Sequence, residues 1–407
     1  MFLDKLRRYF RLRDAAEPIK PEYSSPKNEY YGRVSERFST AQMILYVVLT
    51  VFVLVSLMIN SEWITYENFY YFFSDMGDYI TASDSEIEDV IYSNDRKQSF
   101  AVYGGKFAVA GNSGVRLYTS SGRLIIDDTD VASNPKLEES ERYLLMYDHQ
   151  GTEFRVYNIF TQAFSANTDF PIYGADVSDS GDFALITSDD DHKFAVNLYN
   201  SKFKLEKTYE KNDYLVDVAL DRTGNKIVML AYNVSGGEMV TEITFTETGR
   251  EEPYSKNEID GSMPLYCEFT SSGKLIVVCD NRICTFSDRG ELLSETEYEK
   301  DETTLFSDIN EFGAAVVRKN GEVYTLTVLD KNGEQVYNNA LTGAVEGISL
   351  FGKYVFVDTD INIVRINTED QSTEEKETAD NDFFMLAKSE NELLLCLPTR
   401  VKYVIFD

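Results

Sequence analysis

The sequence predicts an all-β domain preceded by one membrane-spanning helix, and three observations support this fold class. A run without charged residues covers residues 41–60. From residue 86 onward, short apolar runs and polar turns repeat with a period near 40 residues, which is typical of arrays of one repeated unit. The charge is also uneven, because residues 1–40 have a net charge of +3 and residues 61–407 a net charge of −33.

Residues 1–40 are predicted to form a cytoplasmic basic tail. They contain nine Lys or Arg and six Asp or Glu, and Arg33 and Arg37 lie just before the apolar run. After that run no Lys or Arg follows until Arg96. Positive charges beside a membrane span favour the cytoplasmic side, so we expect the remaining mass to lie outside the cell membrane.

Residues 41–60 are predicted to form a single transmembrane helix, because about 20 apolar residues cross a hydrocarbon layer of ~30 Å. A buried helix and a cleaved signal peptide are the alternatives. The run is too long and uniform for the former, and the 40-residue segment before it argues against the latter. Residues 61–85 are predicted to be an aromatic juxtamembrane linker, either an interfacial belt or a short helix packed on the next domain.

Residues 86–407 contain eight copies of one unit. In each copy a turn residue precedes a short apolar strand, and a later strand ends in a bulky residue and a polar turn, as in Leu117-Tyr118-Thr119. Gly and Asn tolerate the positive φ of a tight hairpin. The turn residues are Gly105, Glu141, Gly181, Gly224, Gly273, Gly313, Gly352 and Asn391. Each unit therefore predicts four antiparallel strands, which is one propeller blade.

The two ends of the repeat region complement each other. The eighth copy stops at Asp407, after its third strand, while a surplus strand over Val90–Asp95 precedes the first copy. We therefore predict an eight-bladed β-propeller closed by an N-terminal strand, which would hide the sheet edges. Seven blades are the alternative, because the second copy is weak in its first strand.

The segment Ala175-Asp176-Val177-Ser178-Asp179-Ser180-Gly181 resembles the repeats of WD-repeat and quinoprotein-like propellers. The Trp-Asp dipeptide and the sialidase-type Asp box of functional subfamilies are absent from the sequence. With the aromatic stretch Asn68–Phe72 after the span, the layout is similar to an uncharacterised family of membrane-anchored propellers of Gram-positive bacteria. That resemblance implies a fold and a location, and no activity.

Composition excludes several classes of function. A domain with a net charge of −33 would repel nucleic acid, whose binding depends on Lys and Arg. Two histidines are too few for His-rich zinc sites and leave little for a His-dependent triad. The four cysteines, Cys267, Cys279, Cys284 and Cys396, lie in apolar strands and are interpreted as small buried hydrophobes. A Cys279–Cys284 bridge stays open.

One face of the propeller is predicted to be acidic. Turns after the second and fourth strands of each blade lie on the same face and are rich in aspartate. The candidate binding residues are Asp95, Asp130, Asp169, Asp189, Asp190, Asp191, Asp213, Asp260, Asp301, Asp358, Asp360 and Asp382. This face could bind a basic partner, or cations such as Ca²⁺. Alternatively, these aspartates only cap nearby backbone N–H groups.

These observations favour a non-enzymatic function, a membrane-tethered platform that binds a protein or glycan outside the cell. We assign no catalytic, cofactor-binding or metal-binding residue, and Ca²⁺ is the one candidate ion for the acidic face. The alternative is a carboxylate-dependent hydrolase or lyase acting on a glycan, since glycosidases need two carboxylates about 5–10 Å apart. A deep pocket with two carboxylates in unlike environments would favour the enzyme, and a broad face of solvated acids the platform.

Overall fold

The computed structural model of the protein describes residues 42–55, 89–119, 122–378 and 383–406. The chain divides into two compact units, Met1–Ile80 and Thr81–Asp407. In the first unit, residues 42–55 form helix α1 with exposed side chains. Within the described ranges no helix has both the length and the apolarity to cross a membrane. The predicted tail (1–40), the linker (61–85) and the rest of the 41–60 run lie outside the described residues.

The second unit is built from strands alone over its described residues. These strands form eight four-stranded antiparallel sheets, so eight blades are confirmed and the seven-blade alternative is wrong. The second repeat, weak in sequence, forms a full sheet. The short strand β1 (Val90–Ile91) comes first in the chain.

The strands of the first four blades follow in chain order. The first blade contains β2 (Gln98–Tyr103), β3 (Lys106–Gly111), β4 (Gly114–Tyr118) and β5 (Leu124–Asp128). The second contains β6 (Pro135–Glu139), β7 (Leu144–Asp148), β8 (Glu153–Tyr157) and β9 (Gln162–Asn167). The third contains β10 (Ile172–Val177), β11 (Phe183–Ser188), β12 (Phe194–Tyr199) and β13 (Leu205–Lys211). The fourth contains β14 (Tyr214–Leu220), β15 (Lys226–Ser235), β16 (Glu238–Glu247) and β17 (Ser255–Asp260).

The other four blades repeat this arrangement. The fifth contains β18 (Pro264–Phe269), β19 (Leu275–Cys279), β20 (Arg282–Phe286) and β21 (Leu292–Glu297). The sixth contains β22 (Thr303–Asn310), β23 (Gly313–Asn320), β24 (Val323–Asp330) and β25 (Gln335–Leu341). The seventh contains β26 (Val345–Phe351), β27 (Tyr354–Thr359), β28 (Ile363–Asn367) and β29 (Thr373–Lys376). The eighth contains β30 (Phe384–Ala387), β31 (Glu392–Cys396) and β32 (Arg400–Ile405).

The eighth sheet takes its fourth strand from the N-terminal end of the repeat region. Strand β1 pairs antiparallel with β32, with Val90 opposite Val401 and Ile91 opposite Arg400. Val90 is buried in a cluster that joins this sheet to Phe107 of the first blade. Strand β1 thus occupies the position that the sequence predicts for the surplus strand.

The core lies between neighbouring blades. The second strand of a blade is covered on both faces, so it forms a continuous apolar run rather than an alternating one. All five residues of β19, for example, are buried. The first strands of neighbouring blades contact one another, and in a propeller they line the central channel.

The six predicted turn glycines all have positive φ, as expected. Their φ angles run from 60° at Gly352 to 141° at Gly313. Asn391 is not among the described residues with positive φ, so at that position the expected turn geometry is wrong.

All four cysteines are free and buried, as interpreted from the sequence. Cys284 pairs across the hairpin with Val277 rather than with Cys279, so the register does not place the two thiols opposite each other. Burial raises the pKa of both thiols to about 12.

Candidate functional site

We define the acidic face as the side of the propeller that carries the turns after the second and fourth strands of each blade. Strand ends place most of the predicted aspartates there. Asp95, Asp130, Asp169, Asp213, Asp260 and Asp301 end or follow fourth strands, and Asp189, Asp190, Asp191 and Asp360 follow second strands. Asp358 does not lie in a turn, because it is the buried fifth residue of β27. Asp382 lies outside the described residues.

Four of these aspartates bind groups of nearby turns. Asp95 accepts hydrogen bonds from the backbone N (3.2 Å) and Oγ (2.7 Å) of Ser113. Asp360 accepts one from the N of Ala344 at 3.0 Å. Asp189 accepts one from the backbone N of His192 at 2.9 Å, and Asp213 accepts one from the side-chain Nδ2 of Asn233, in strand β15, at 3.3 Å. At these positions aspartate has the turn-stabilising role that its side chain commonly plays.

The other aspartates of the acidic face are exposed carboxylates. Across the described ranges their oxygens have no hydrogen bond or ion pair within the chain. They are Asp130, Asp169, Asp190, Asp191, Asp260 and Asp301. A set of solvated acids spread over several blades gives the face a negative potential that attracts positively charged partners.

A second group of acids, which the sequence analysis missed, lines the channel. Four of them occupy equivalent positions on the first strands of their blades. In each blade the residue paired with the acid lies at the corresponding position of the second strand. These four are Glu138, Asp176, Glu268 and Asp308. Asp217 lies two positions nearer the acidic face, and Glu139 follows Glu138. We call these six the channel carboxylates.

The channel carboxylates affect each other's ionisation. Glu139 of the second blade and Asp308 of the sixth repel each other, although these two blades face each other across an eight-membered ring. Glu139 is exposed to the channel, yet desolvation by the surrounding channel wall, reinforced by this repulsion, raises its pKa to about 8. Burial likewise raises the pKa of Asp217 to about 7 and that of Asp308 to about 6. The pKa values of Glu138 and Glu268 are raised well above the usual range by burial and by neighbouring carboxylates.

Three channel carboxylates also connect neighbouring blades. Asp176 accepts a hydrogen bond from the N of Leu220 at 2.5 Å. Asp217 and Asp308 accept equivalent bonds, at 2.9 Å from Cys267 and 2.7 Å from Leu350. The hydroxyls of Ser99 and Ser349 accept the same kind of bond at two other junctions. These carboxylates therefore have a structural role beside any role in binding.

The far end of the channel, opposite the acidic face, is spanned by one guanidinium. Arg222 of the fourth blade binds Asp179 of the third blade through Nε at 2.7 Å. Its Nη2 lies 2.6 Å from Glu141 of the second blade, and its Nη1 3.4 Å from Glu311 of the sixth. Because the second and sixth blades are opposite each other, the guanidinium lies close to the channel axis.

A continuous row of rings, which we call the aromatic band, crosses blades two to four on the acidic face. It consists of Tyr147, His149, Tyr173, Phe194, Tyr214 and Tyr232. Neighbouring ring centroids are 6.5, 6.0, 5.6, 6.5 and 5.2 Å apart in that order. Tyr173 and Tyr214 are the exposed members, at 38% and 43%. The Nζ of Lys193 lies 3.8 Å from the centroid of the Tyr214 ring.

A β-bulge helps to place this band. The first strand of blades three to seven has a register shift near its start, and in β10 the extra residue is Tyr173. A bulge bends the strand and redirects a side chain. In the fourth blade, the ten-residue strands β15 and β16 bring Tyr232 opposite Tyr214.

The histidines and acids do not assemble a metal site in the described part of the chain. No group of three or more His, Cys, Asp or Glu side chains there is arranged to hold a metal ion. His192 Nδ1 lies 3.0 Å from Asp189 Oδ2, and His149 contacts Tyr173 edge-on.

Solved structures share the propeller fold at low sequence identity. One is Chaetomium thermophilum Sqt1 bound to the N-terminus of the ribosomal protein L10, which is 10% identical with a TM-score of 0.54 and covers 78% of this chain and 98% of that one. Apo AztD from Citrobacter koseri is 12% identical with a TM-score of 0.52, covering 70% and 88%. The dihydro-heme d1 dehydrogenase NirN in complex with DHE is 13% identical with a TM-score of 0.50, covering 70% and 67%. At these identities the similarity shows the fold alone.

Sequence comparison identifies a family without a known activity. No curated protein is significantly similar to the chain. Residues 77–405, which include all eight blades, match the family of unknown function DUF5711. The chain therefore belongs to the DUF5711 family.

Proposed function

We propose that this protein is a membrane-tethered platform whose acidic face binds a basic protein segment outside the cell membrane. The observation that carries the proposal is the set of six exposed aspartates, spread over several blades of one face, whose carboxylates have no hydrogen bond or ion pair within the described chain. Beneath them the channel wall is acidic as well. Complementary charge of this kind raises association rates and selects oppositely charged partners.

Binding is tested with the full chain in detergent and fluorescein-labelled deca-lysine, with deca-glutamate as the charge-reversed probe. We expect deca-lysine to bind, with an affinity that falls as salt rises. The triple variant Asp190→Asn, Asp191→Asn, Asp301→Asn should weaken binding by about tenfold, because three attractive charges are lost.

A matched control removes three charges from the opposite face. The control triple variant is Glu252→Gln, Glu291→Gln, Glu334→Gln, whose positions lie in exposed turns after third strands. It should change the dissociation constant for deca-lysine by less than about twofold. Equal losses in the two triple variants, or tighter binding of deca-glutamate, would refute the proposal.

The membrane tether is the second part of the proposal. It is supported by the apolar, uncharged run 41–60, of which residues 42–55 form helix α1, and by the basic residues before that run. Tags at the two ends of the chain test it in intact cells treated with an external protease. We expect the C-terminal tag to be digested and the N-terminal tag to be protected, and the reverse result would overturn the orientation.

Ca²⁺ binding to the acidic face stays a prediction, and calorimetric titration of the full chain with CaCl₂ tests it.

A hydrolase is less well supported than a platform. Asp176, Asp217 and Asp308 accept backbone hydrogen bonds that connect blades, whereas a general acid or base needs to exchange a proton with substrate.

A further inference from the structure

We infer that the aromatic band receives arginine side chains of the basic segment, which stack on the rings of Tyr173 and Tyr214. This inference rests on the proposed function and specifies where on the acidic face the partner binds and which cation it presents. The band forms one surface across three blades, with its two exposed rings at the starts of the first strands β10 and β14.

The chain itself provides an example of the proposed contact. The ammonium of Lys193 lies 3.8 Å from the centroid of the Tyr214 ring, so this ring already holds a cation. Tyr232 stacks on Tyr214 at 5.2 Å with an interplanar angle of 17° and supports it from its own blade. Lys193 is exposed, so a cation from a partner can replace it at little cost in packing.

Charge around the band favours a cationic partner over a neutral glycan. Asp213 directly precedes Tyr214, and Asp169 lies four residues before Tyr173. Asp190 and Asp191 are exposed in the same turn as Lys193. An aromatic surface bordered by carboxylates offers a cation both the negative face of a ring and a counter-charge.

Arginine fits this surface better than lysine does. Its guanidinium is planar, stacks on aromatic rings and is more weakly hydrated than an ammonium group. Carboxylates also favour arginine, because its guanidinium binds them with two parallel hydrogen bonds. The part of the preference that is lost when the rings are removed therefore reports on stacking.

The test compares labelled deca-arginine, deca-lysine and the neutral deca-citrulline on the full chain in detergent. We expect deca-arginine to bind about three- to tenfold more tightly than deca-lysine, and deca-citrulline to bind weakly. In the double variant Tyr173→Leu, Tyr214→Leu the ratio of the deca-lysine to the deca-arginine dissociation constant should fall towards one. The salt dependence of binding should stay as in the wild type, because no charge changes. Lys193→Gln should strengthen binding of deca-arginine several-fold, since it uncovers the Tyr214 ring and removes a positive charge.

Tyr266→Leu is the matched control. Tyr266 is exposed by 57% on the first strand of the fifth blade, outside the aromatic band, and its replacement should leave the preference intact. Circular dichroism and thermal melting check that each variant is folded.

The outcomes separate this inference from the proposed function. Equal affinity for both cationic peptides, a preference that survives in the double variant, or an equal loss in Tyr266→Leu would refute the inference while the platform stands. Displacement of the peptides by chitotetraose at lower concentration would show a glycan-binding surface instead. Absence of binding by every cationic peptide would refute both.

Discussion

At the scale of single residues, the channel carboxylates make the stability of the propeller depend on pH. Asp308 has an ordinary pKa of 3.8 that burial raises to about 6 in the folded protein, and that of Asp217 is raised to about 7. Between pH ~4 and pH ~7 the folded state therefore binds more protons than the unfolded state. Their contribution is fully present below pH ~4 and is lost as the pH rises through the folded pKa values.

We therefore predict that these groups make the protein less stable at pH 8 than at pH 5.5. Asp308→Asn keeps an oxygen that can accept the hydrogen bond from Leu350 but removes the charge. At pH 8 it should raise the free energy of unfolding by on the order of 1 kcal/mol and flatten the pH profile. Chemical denaturation at several pH values measures this.

The control for this prediction is Asp370→Asn. Asp370 is exposed, and a hydrogen bond from Ser372 lowers its pKa rather than raising it. This substitution should not flatten the profile between pH 5.5 and pH 8. If Asp308→Asn retains the wild-type slope, the channel carboxylates are not the source of the pH dependence.

Arg222 is the second residue whose role can be measured. Arg222→Gln leaves Glu141, Asp179 and Glu311 without their shared cation, so the free energy of unfolding should fall. We expect a loss of about 1 kcal/mol, because solvent partly screens the charges of an exposed network. The loss should shrink at 1 M NaCl. Arg250→Gln, which breaks a single exposed pair with Glu247, should have a smaller effect. Equal effects of the two substitutions would contradict a special role for the network.

At the scale of strands and turns, the fold was predictable from the sequence because each blade repeats the same local chemistry. Apolar second strands and turn glycines recur in nearly every repeat, so an individual weak copy did not obscure the pattern. The acidic face followed from the same regularity, since strand order fixes which turns share a side.

The channel carboxylates were missed although they have a periodic signal. An acidic residue lies two positions before Ser, Thr or Asn at the end of several first strands, as in Asp176-Val177-Ser178, Glu268-Phe269-Thr270 and Asp308-Ile309-Asn310. The aromatic band has no such signal. Its rings come from different strands, and their contacts depend on a bulge at Tyr173 and on the packing of three blades, which local sequence does not specify.

Two glycines provide a prediction at this scale. Gly114, the first residue of β4, has φ of 124°, and an added Cβ would lie 1.8 Å from the carbonyl oxygen of Asp128. Gly114→Ala should therefore lower the free energy of unfolding by about 3 kcal/mol or more. Gly105 has φ of 71° and open space around the added atom, so Gly105→Ala should cost only about 1 kcal/mol. Similar melting temperatures for the two variants would contradict this difference.

At the scale of the whole molecule, the two ends of the repeat region meet in one sheet. We predict that the strand β1 contributes to global stability although it has only two residues. Val90 is 4% exposed and Ile91 is 77% exposed. Val90→Asp should lower the free energy of unfolding by about 3 kcal/mol, because it buries a charge without a partner, and Ile91→Asp by less than about 0.5 kcal/mol.

Denaturant unfolding of the two variants measures this difference. Ile91→Asp is the control, because it adds the same charge at the neighbouring exposed position. Equal stability of the two variants would show that β1 adds little to the ring. A loss confined to Val90→Asp would show that β1 stabilises the sheet it shares with β32, whose residues lie more than 300 positions away in the chain. This sheet would then help to hold the first and eighth blades together.

The position of Arg222 limits the path that a bound chain can follow. Its guanidinium lies near the axis with carboxylates of three blades around it, so this network narrows the far end of the channel. We therefore expect a bound segment to enter and leave by the acidic face, as a terminus or a tight loop does, rather than to pass through the ring.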